Sequence, residues 1–227
     1  MKLTADLIAN SPTYINAIKE YELDLSGNHI TMIENLGATR NLYDALNLCN
    51  NTIRVVGNFP ELTRLQSLYI ADNRISLIEA DLAQTLPHLR TLVLTDNQIQ
   101  NLVDLEPLGQ LEMLENLSIM SNPVMAKPHA RLWCIWRFKS LKVLNFERVL
   151  LKEKQEAKEL FETSGQLTAL AQGILAMEQS KVENTFVPGE GLETKEVVDQ
   201  AKQQSIAELK ARIREEMAQV AAMEEFI

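Results

Sequence analysis

The pattern Leu-x-Leu-x-x-Asn-x-Ile recurs in phase through the first two-thirds of this 227-residue chain, and it limits the fold more than any other feature. It is read at Leu23, Leu25, Asn28 and Ile30, at Leu46, Leu48, Asn51 and Ile53, and at Leu68, Ile70, Asn73 and Ile75. Two further copies stand at Leu92, Leu94, Asn97 and Ile99 and at Leu117, Ile119, Asn122 and Val124. Successive asparagines therefore lie 23, 22, 24 and 25 residues apart, a period that marks stacked coils of a solenoid.

Each position has a physical reason. Alternation in Leu-x-Leu sends both leucines inward from one short strand and the residue between them outward. The asparagine amide can both donate to and accept from backbone groups left over where the strand ends, so Asn28, Asn51, Asn73, Asn97 and Asn122 are expected to stack as a satisfied ladder. After the turn, apolar residues continue about every third position, as in Ile53, Val56, Phe59, Leu62 and Leu65 and again from Ile99 to Leu114, which suits short helical or 3₁₀ segments. The outermost coils need caps. Thr4 and Ser11-Pro12 read as helix starts, with Leu7, Ile8, Ile15 and Ile18 to cover the first coil. At the other end Leu141, Leu144 and Phe146 imitate a sixth coil, Val149 stands where asparagine belongs, and Lys152 to Phe161 reads as a closing helix.

The expected fold is thus an α/β leucine-rich-repeat solenoid of about five repeats, with a parallel concave sheet and helical caps. Residues 1–20 form the N-terminal helical cap, 21–161 the solenoid with its C-terminal cap, and 162–227 an acidic, partly helical tail. Within the tail, 197–226 reads as one amphipathic helix, since Ile206, Leu209, Ile213, Met217 and Val220 recur every three or four residues. A lone apolar stripe of that kind suits a partner protein.

Charge refines the picture. The tail from residue 161 holds 6 Lys and Arg against 12 Asp and Glu, two-thirds of the chain's net charge of -9. Between Glu115 and Glu147 there is no acid, and Lys127, Arg131, Arg137, Lys139 and Lys142 fall there with Trp133 and Trp136, a local anion-facing patch in an acidic chain. Polar residues interrupt the first 25 positions, so neither a secretory core nor a membrane span is expected. Cys49 and Cys134 make no C-x-x-C motif and point to a reducing compartment.

Catalytic chemistry finds no purchase. His29, His88 and His129 lack a ligand partner at helical spacing, so no metal or cofactor is expected. Asp72 and Asp96 precede the asparagines of their coils, where a turn role explains them better than paired carboxylates. Pro188-Gly189-Glu190-Gly191 matches neither a phosphate loop nor a dinucleotide motif. No nucleophile elbow is present.

A binding surface is better supported. The outward residues of successive strands are Asp24, Asn47, Tyr69, Val93 and Ser118, preceded two positions earlier by Glu22, Ala45, Ser67, Thr91 and Asn116. This concave strip is small and neutral apart from acids at its N-terminal end, and suits a protein element with Tyr69 as anchor.

Several stretches are more particular than the repeat. Lys2-Leu3-Thr4-Ala5, Glu22-Leu23-Asp24-Leu25, Ile33-Glu34-Asn35-Leu36-Gly37-Ala38-Thr39, Ser121-Asn122-Pro123-Val124 and Lys152-Glu153-Lys154-Gln155-Glu156-Ala157 occur in that order across residues 1–161. Together with Thr185-Phe186, Pro188-Gly189 and Gly191-Leu192 in the tail, they make the chain resemble the A-prime family of the U2 small nuclear ribonucleoprotein. That resemblance implies a nuclear, non-catalytic spliceosomal scaffold in pre-mRNA splicing. Its concave face would grip a helix of the RNA-recognition-motif protein called B-double-prime, and the pair would bind a stem-loop of the U2 small nuclear RNA. The five basic residues from Lys127 to Lys142 would then lie near RNA phosphates, with Trp133 or Trp136 stacking, and the tail would meet other spliceosomal proteins. The competing reading is a leucine-rich-repeat regulatory subunit or adaptor of a phosphatase or cytoskeletal complex.

Overall fold

The structure, a computed structural model, describes residues 1–163 and 165–177. The expected amphipathic helix over 197–226 and the glycine-rich motif before it lie outside the described residues.

The repeats stack as read. Strands Tyr21–Asp24, Ala45–Asn47, Ser67–Tyr69, Thr91–Val93, Asn116–Ser118 and Val143–Leu144 pair in parallel in chain order. Leu23, Leu46, Leu68, Leu92, Leu117 and Leu144 stand in one register across all six and are buried, each such side chain contributing about 1.5–3 kcal/mol. Antiparallel strands Thr13–Ile15 and Glu147–Arg148 close the two edges of this eight-stranded sheet, which blunts edge-to-edge association.

The asparagine ladder is real but has four full rungs, not five. Asn51 accepts from Ile30 N–H at 2.8 Å and donates to the carbonyls of Leu25, Leu48 and Cys49 at 3.1, 2.9 and 3.2 Å. Asn73, Asn97 and Asn122 repeat this set one coil further each time, tying every coil to its predecessor. Asn28 has no coil before it; it is half-buried and, among the described residues, donates only to the carbonyl of Ser26. Where the ladder ends at Val149, Asn145 accepts from Ile119 N–H at 2.8 Å, doing with its side chain what a strand carbonyl does for Leu94. Ahead of each ladder position runs a column in the left-handed region: Gly27 (φ 69°), Asn50 (56°), Asp72 (53°), Asp96 (53°) and Ser121 (55°). Glycine, Asn and Asp tolerate that conformation best, so Asp72 and Asp96 are turn residues, as expected.

The convex side follows the apolar spacing, and Ile53, Val56, Phe59, Leu62 and Leu65 are all buried. One coil forms the long 3₁₀ segment Leu102–Gln110. In two others the β-branched and bulky pairs Val55–Val56 and Leu77–Ile78 pair as short parallel strands instead of winding up.

The caps differ from expectation. Thr4 caps helix Ala5–Asn10 by accepting from Leu7 N–H, and Leu3 and Ile8 close the first coil. Ser11-Pro12 starts no second helix. The carbonyl of Pro12 accepts from Asp24 N–H, which leads Thr13–Ile15 into the sheet as a hairpin strand. Asn16 closes that hairpin by accepting from the backbones of Ile18 and Glu20. Ile15 and Ile18, 72% and 62% exposed, therefore cover nothing. At the other end helix Leu151–Phe161 forms as read, packed against a helix the sequence reading missed, Ala130–Arg137. The cap also runs past residue 161, through the hairpin Glu162–Thr163 and Gln166–Leu167 to helix Ala169–Leu175, whose Ala171 is fully buried.

Candidate partner-binding face

The concave sheet is lined as the alternation dictates, but its residues are not equally available. Asp24, Asn47, Tyr69, Thr91, Val93 and Asn116 are half-buried and form the accessible strip. Glu22, Ala45, Ser67 and Ser118, also expected there, are buried, and hydrogen bonds explain most of it. The Glu20 side chain accepts from Ser67 Oγ at 2.8 Å, two strands away, passing over Ala45. The Glu22 carboxylate accepts from Tyr14 O–H at 2.9 Å and from Asn16 Nδ2 at 3.0 Å. Ser118 Oγ is bonded to Thr95 Oγ1 at 2.8 Å.

Tyr14 is the strip residue that sequence reading missed. It pairs with Glu22 across the hairpin, so its ring lies on the concave side beside the first repeat strand, 43% exposed. The hydrogen bond to Glu22 pushes its phenol up to about 12, with burial and the Glu22 and Asp24 charges adding to the rise. Tyr69 is also raised, chiefly by desolvation. The signal for Tyr14 was present in the β-favouring run Thr13-Tyr14-Ile15 followed by an Asn-led turn.

The basic stretch changes its meaning once folded. Arg131 pairs with Glu153 at 2.7 Å and Glu147 at 3.2 Å, Arg137 with Glu106, and Lys142 with Glu115 at 2.8 Å. Carboxylates absent from the stretch itself are thus supplied by the preceding coils, the edge strand Glu147–Arg148 and the closing helix. The Arg131 guanidinium holds Glu153 below its ordinary range, and Glu106 raises Arg137. Lys127 and Lys139 remain exposed and without an ion pair among the described residues. The tryptophans are packing residues. Trp133 is wholly buried, with ring centroids 5.1 Å from Trp136 and 5.3 Å edge-on to Phe161, so it cannot stack on a base.

Among the described residues no group of His, Cys, Asp and Glu could hold a metal ion, and no helix is long and apolar enough to cross a membrane. A coiled scaffold whose outward strand residues form one continuous strip is the architecture of a leucine-rich-repeat binding protein. The leucine-rich-repeat family model matches residues 1–174. The human U2 small nuclear ribonucleoprotein A′ is 44% identical over 194 residues, covering 86% of this chain and 74% of that one. The Arabidopsis thaliana A′ protein is 48% identical over 161 residues, 71% of this chain and 65% of its own. Among solved structures, the crystal structure of the Drosophila melanogaster SNF/U2A′ complex contains a chain 42% identical at TM-score 0.70, covering 73% of this chain and 95% of that one. The chain belongs to the U2 small nuclear ribonucleoprotein A′ family, whose members are non-catalytic leucine-rich-repeat proteins of the spliceosome.

Proposed function

We propose that this protein acts in the nucleus as the A′ scaffold subunit of the U2 particle, seating a helix of the RNA-recognition-motif protein B-double-prime on its concave face. The observation that carries this is the accessible strip Asp24, Asn47, Tyr69, Thr91, Val93 and Asn116, with the aromatic ring of Tyr69 at its centre. Tyrosine in the middle of a concave patch supplies contact area at low entropic cost. A solved relative was crystallised in complex with another protein, SNF, which supports a protein partner. The stem-loop of the U2 RNA is then engaged mainly through that partner, because most cations of the basic stretch are already paired.

The test is recovery of the tagged protein from nuclear extract, with and without ribonuclease, beside Tyr69→Ala. U2 RNA together with a ribonuclease-resistant RNA-recognition-motif partner, both depleted by Tyr69→Ala, is the expected result. A phosphatase or cytoskeletal partner without RNA would overturn the function and leave the fold untouched.

A further inference from the structure

The two ends of the concave groove differ in what they ask of an occupant. At the N-terminal end Glu20, Glu22 and Asp24 stand on the hairpin and first repeat strand, and Glu22 is only 5% exposed. None of the five ion pairs among the described residues includes any of them. Their oxygens are held by neutral donors: Ser67 Oγ and Asn16 Nδ2 for Glu20, Tyr14 O–H and Asn16 Nδ2 for Glu22, and the Ser26 N–H for Asp24. Tyr14 spends its single proton on Glu22, so its phenol oxygen faces the groove, and the neighbouring Asn47 side chain, only as an acceptor. This end is therefore acceptor-only and negatively charged. Beyond it the strip becomes uncharged, through Asn47, Tyr69, Thr91, Val93 and Asn116. Several carboxylates elsewhere in the fold are met by cations of the same chain, as at Arg64–Asp44, Arg137–Glu106 and Lys142–Glu115. A buried, rigidly held carboxylate beside two others, with no ion-pair partner among the described residues, has an electrostatic deficit that an incoming cation corrects.

Building on the partner-binding reading above, we infer that the occupant is a protein segment carrying a lysine or arginine that seats against Tyr14, Glu20, Glu22 and Asp24, its uncharged remainder lying along Tyr69 and Val93. The acidic end then fixes the direction in which the segment lies and rejects a segment reversed or presenting an acid there, since like charges brought together repel. Tyr14 is the specificity residue of this end, contributing its ring and holding Glu22 in place.

The experiment is calorimetric titration of the full chain with its RNA-recognition-motif partner at low and moderate salt. Glu20→Gln combined with Asp24→Asn keeps the acceptor oxygens bonded to Ser67 and Ser26 while removing two charges. It is expected to weaken binding roughly tenfold at low salt, the size of one or two charge contacts, and to flatten the salt dependence. Asp72→Asn with Asp96→Asn makes the same change in net charge on the outer turns and should leave both untouched. Melting curves of each variant establish that it folds. If Tyr69→Ala weakens binding but the acid-neutralised variant retains wild-type affinity and salt slope, the inference fails while the concave reading stands. If Tyr69→Ala also has no effect, the concave reading itself fails.

Discussion

Asn73 shows how much one side chain can do in a solenoid. Its amide bonds to four backbone groups on two coils and is 8% exposed. Asn73→Leu orphans the buried Ile53 N–H and is expected to lower stability by about 1–3 kcal/mol, read as a fall in the urea midpoint. Asn28→Leu loses a single bond at a half-buried site and should stay within about 0.5 kcal/mol of wild type. Equal midpoints for Asn73→Leu and wild type would remove the ladder from the explanation. Tyr14 offers a second test at this scale. Its folded pKa is raised from 10.0 to about 12, so its stabilising contribution is complete below pH 10 and is lost as pH climbs through 12. Following tyrosinate absorbance, the phenol lost in Tyr14→Phe should be a late-titrating one; loss from the ordinary range near pH 10, with the late phase intact, would mean that Glu22 does not accept from Tyr14.

Among the elements, the C-terminal cap is where sequence and structure part company in an instructive way. The repeat strands were legible because each leucine repeats at a fixed register, and closing helix Leu151–Phe161 because its charge and apolar spacing are local properties. Helix Ala130–Arg137 was not, because its apolar face is defined by packing on Phe161, which lies far along the chain. Its basic residues looked free for the same reason: Glu106, Glu147 and Glu153 reach them only in three dimensions. The N-terminal hairpin was hidden by Ser11-Pro12, which reads locally as a helix start while the strand it precedes is fixed by pairing with Tyr21–Asp24. Two predictions belong here. Ending the chain after Met177 should leave a cooperative melt, whereas ending it after Leu150 strips Phe161 and Ala157 from Trp133 and should abolish the transition in circular dichroism. The Arg131–Glu153 pair holds the Glu153 pKa below its ordinary 4.5, so its contribution is present at neutral pH and fades as pH falls below 4.5 through the lowered value. Glu153→Gln should accordingly lower the melting temperature at pH 7 and narrow the gap to wild type as the solution is acidified; a constant gap would show that the pair does not titrate with folding.

At the scale of the whole molecule, the described residues offer RNA few unpaired cations in the basic stretch and offer a protein a continuous concave strip. Its net charge is -9, and of the five cations between Glu115 and Glu147 only Lys127 and Lys139 lack a carboxylate partner among the described residues. Each phosphate contact made by a lysine contributes about one unit to the slope of log affinity against log salt, so these two can contribute about two at most. Lys127→Ala with Lys139→Ala should therefore leave the melting temperature unchanged and weaken stem-loop binding by the assembled complex only a few-fold, reducing the salt slope by no more than about two. Arg131→Ala should act differently, lowering stability by freeing Glu153 before any effect on RNA is seen. Tyr69→Ala should reduce RNA recovery more than the lysine pair does, because in the proposed arrangement it releases the protein that carries the RNA. Gel-shift titrations of the stem-loop with the chain alone, with its partner alone and with both together separate these effects. Tight binding by the chain alone, abolished by the lysine pair, would make this protein an RNA ligand in its own right and the groove a secondary feature.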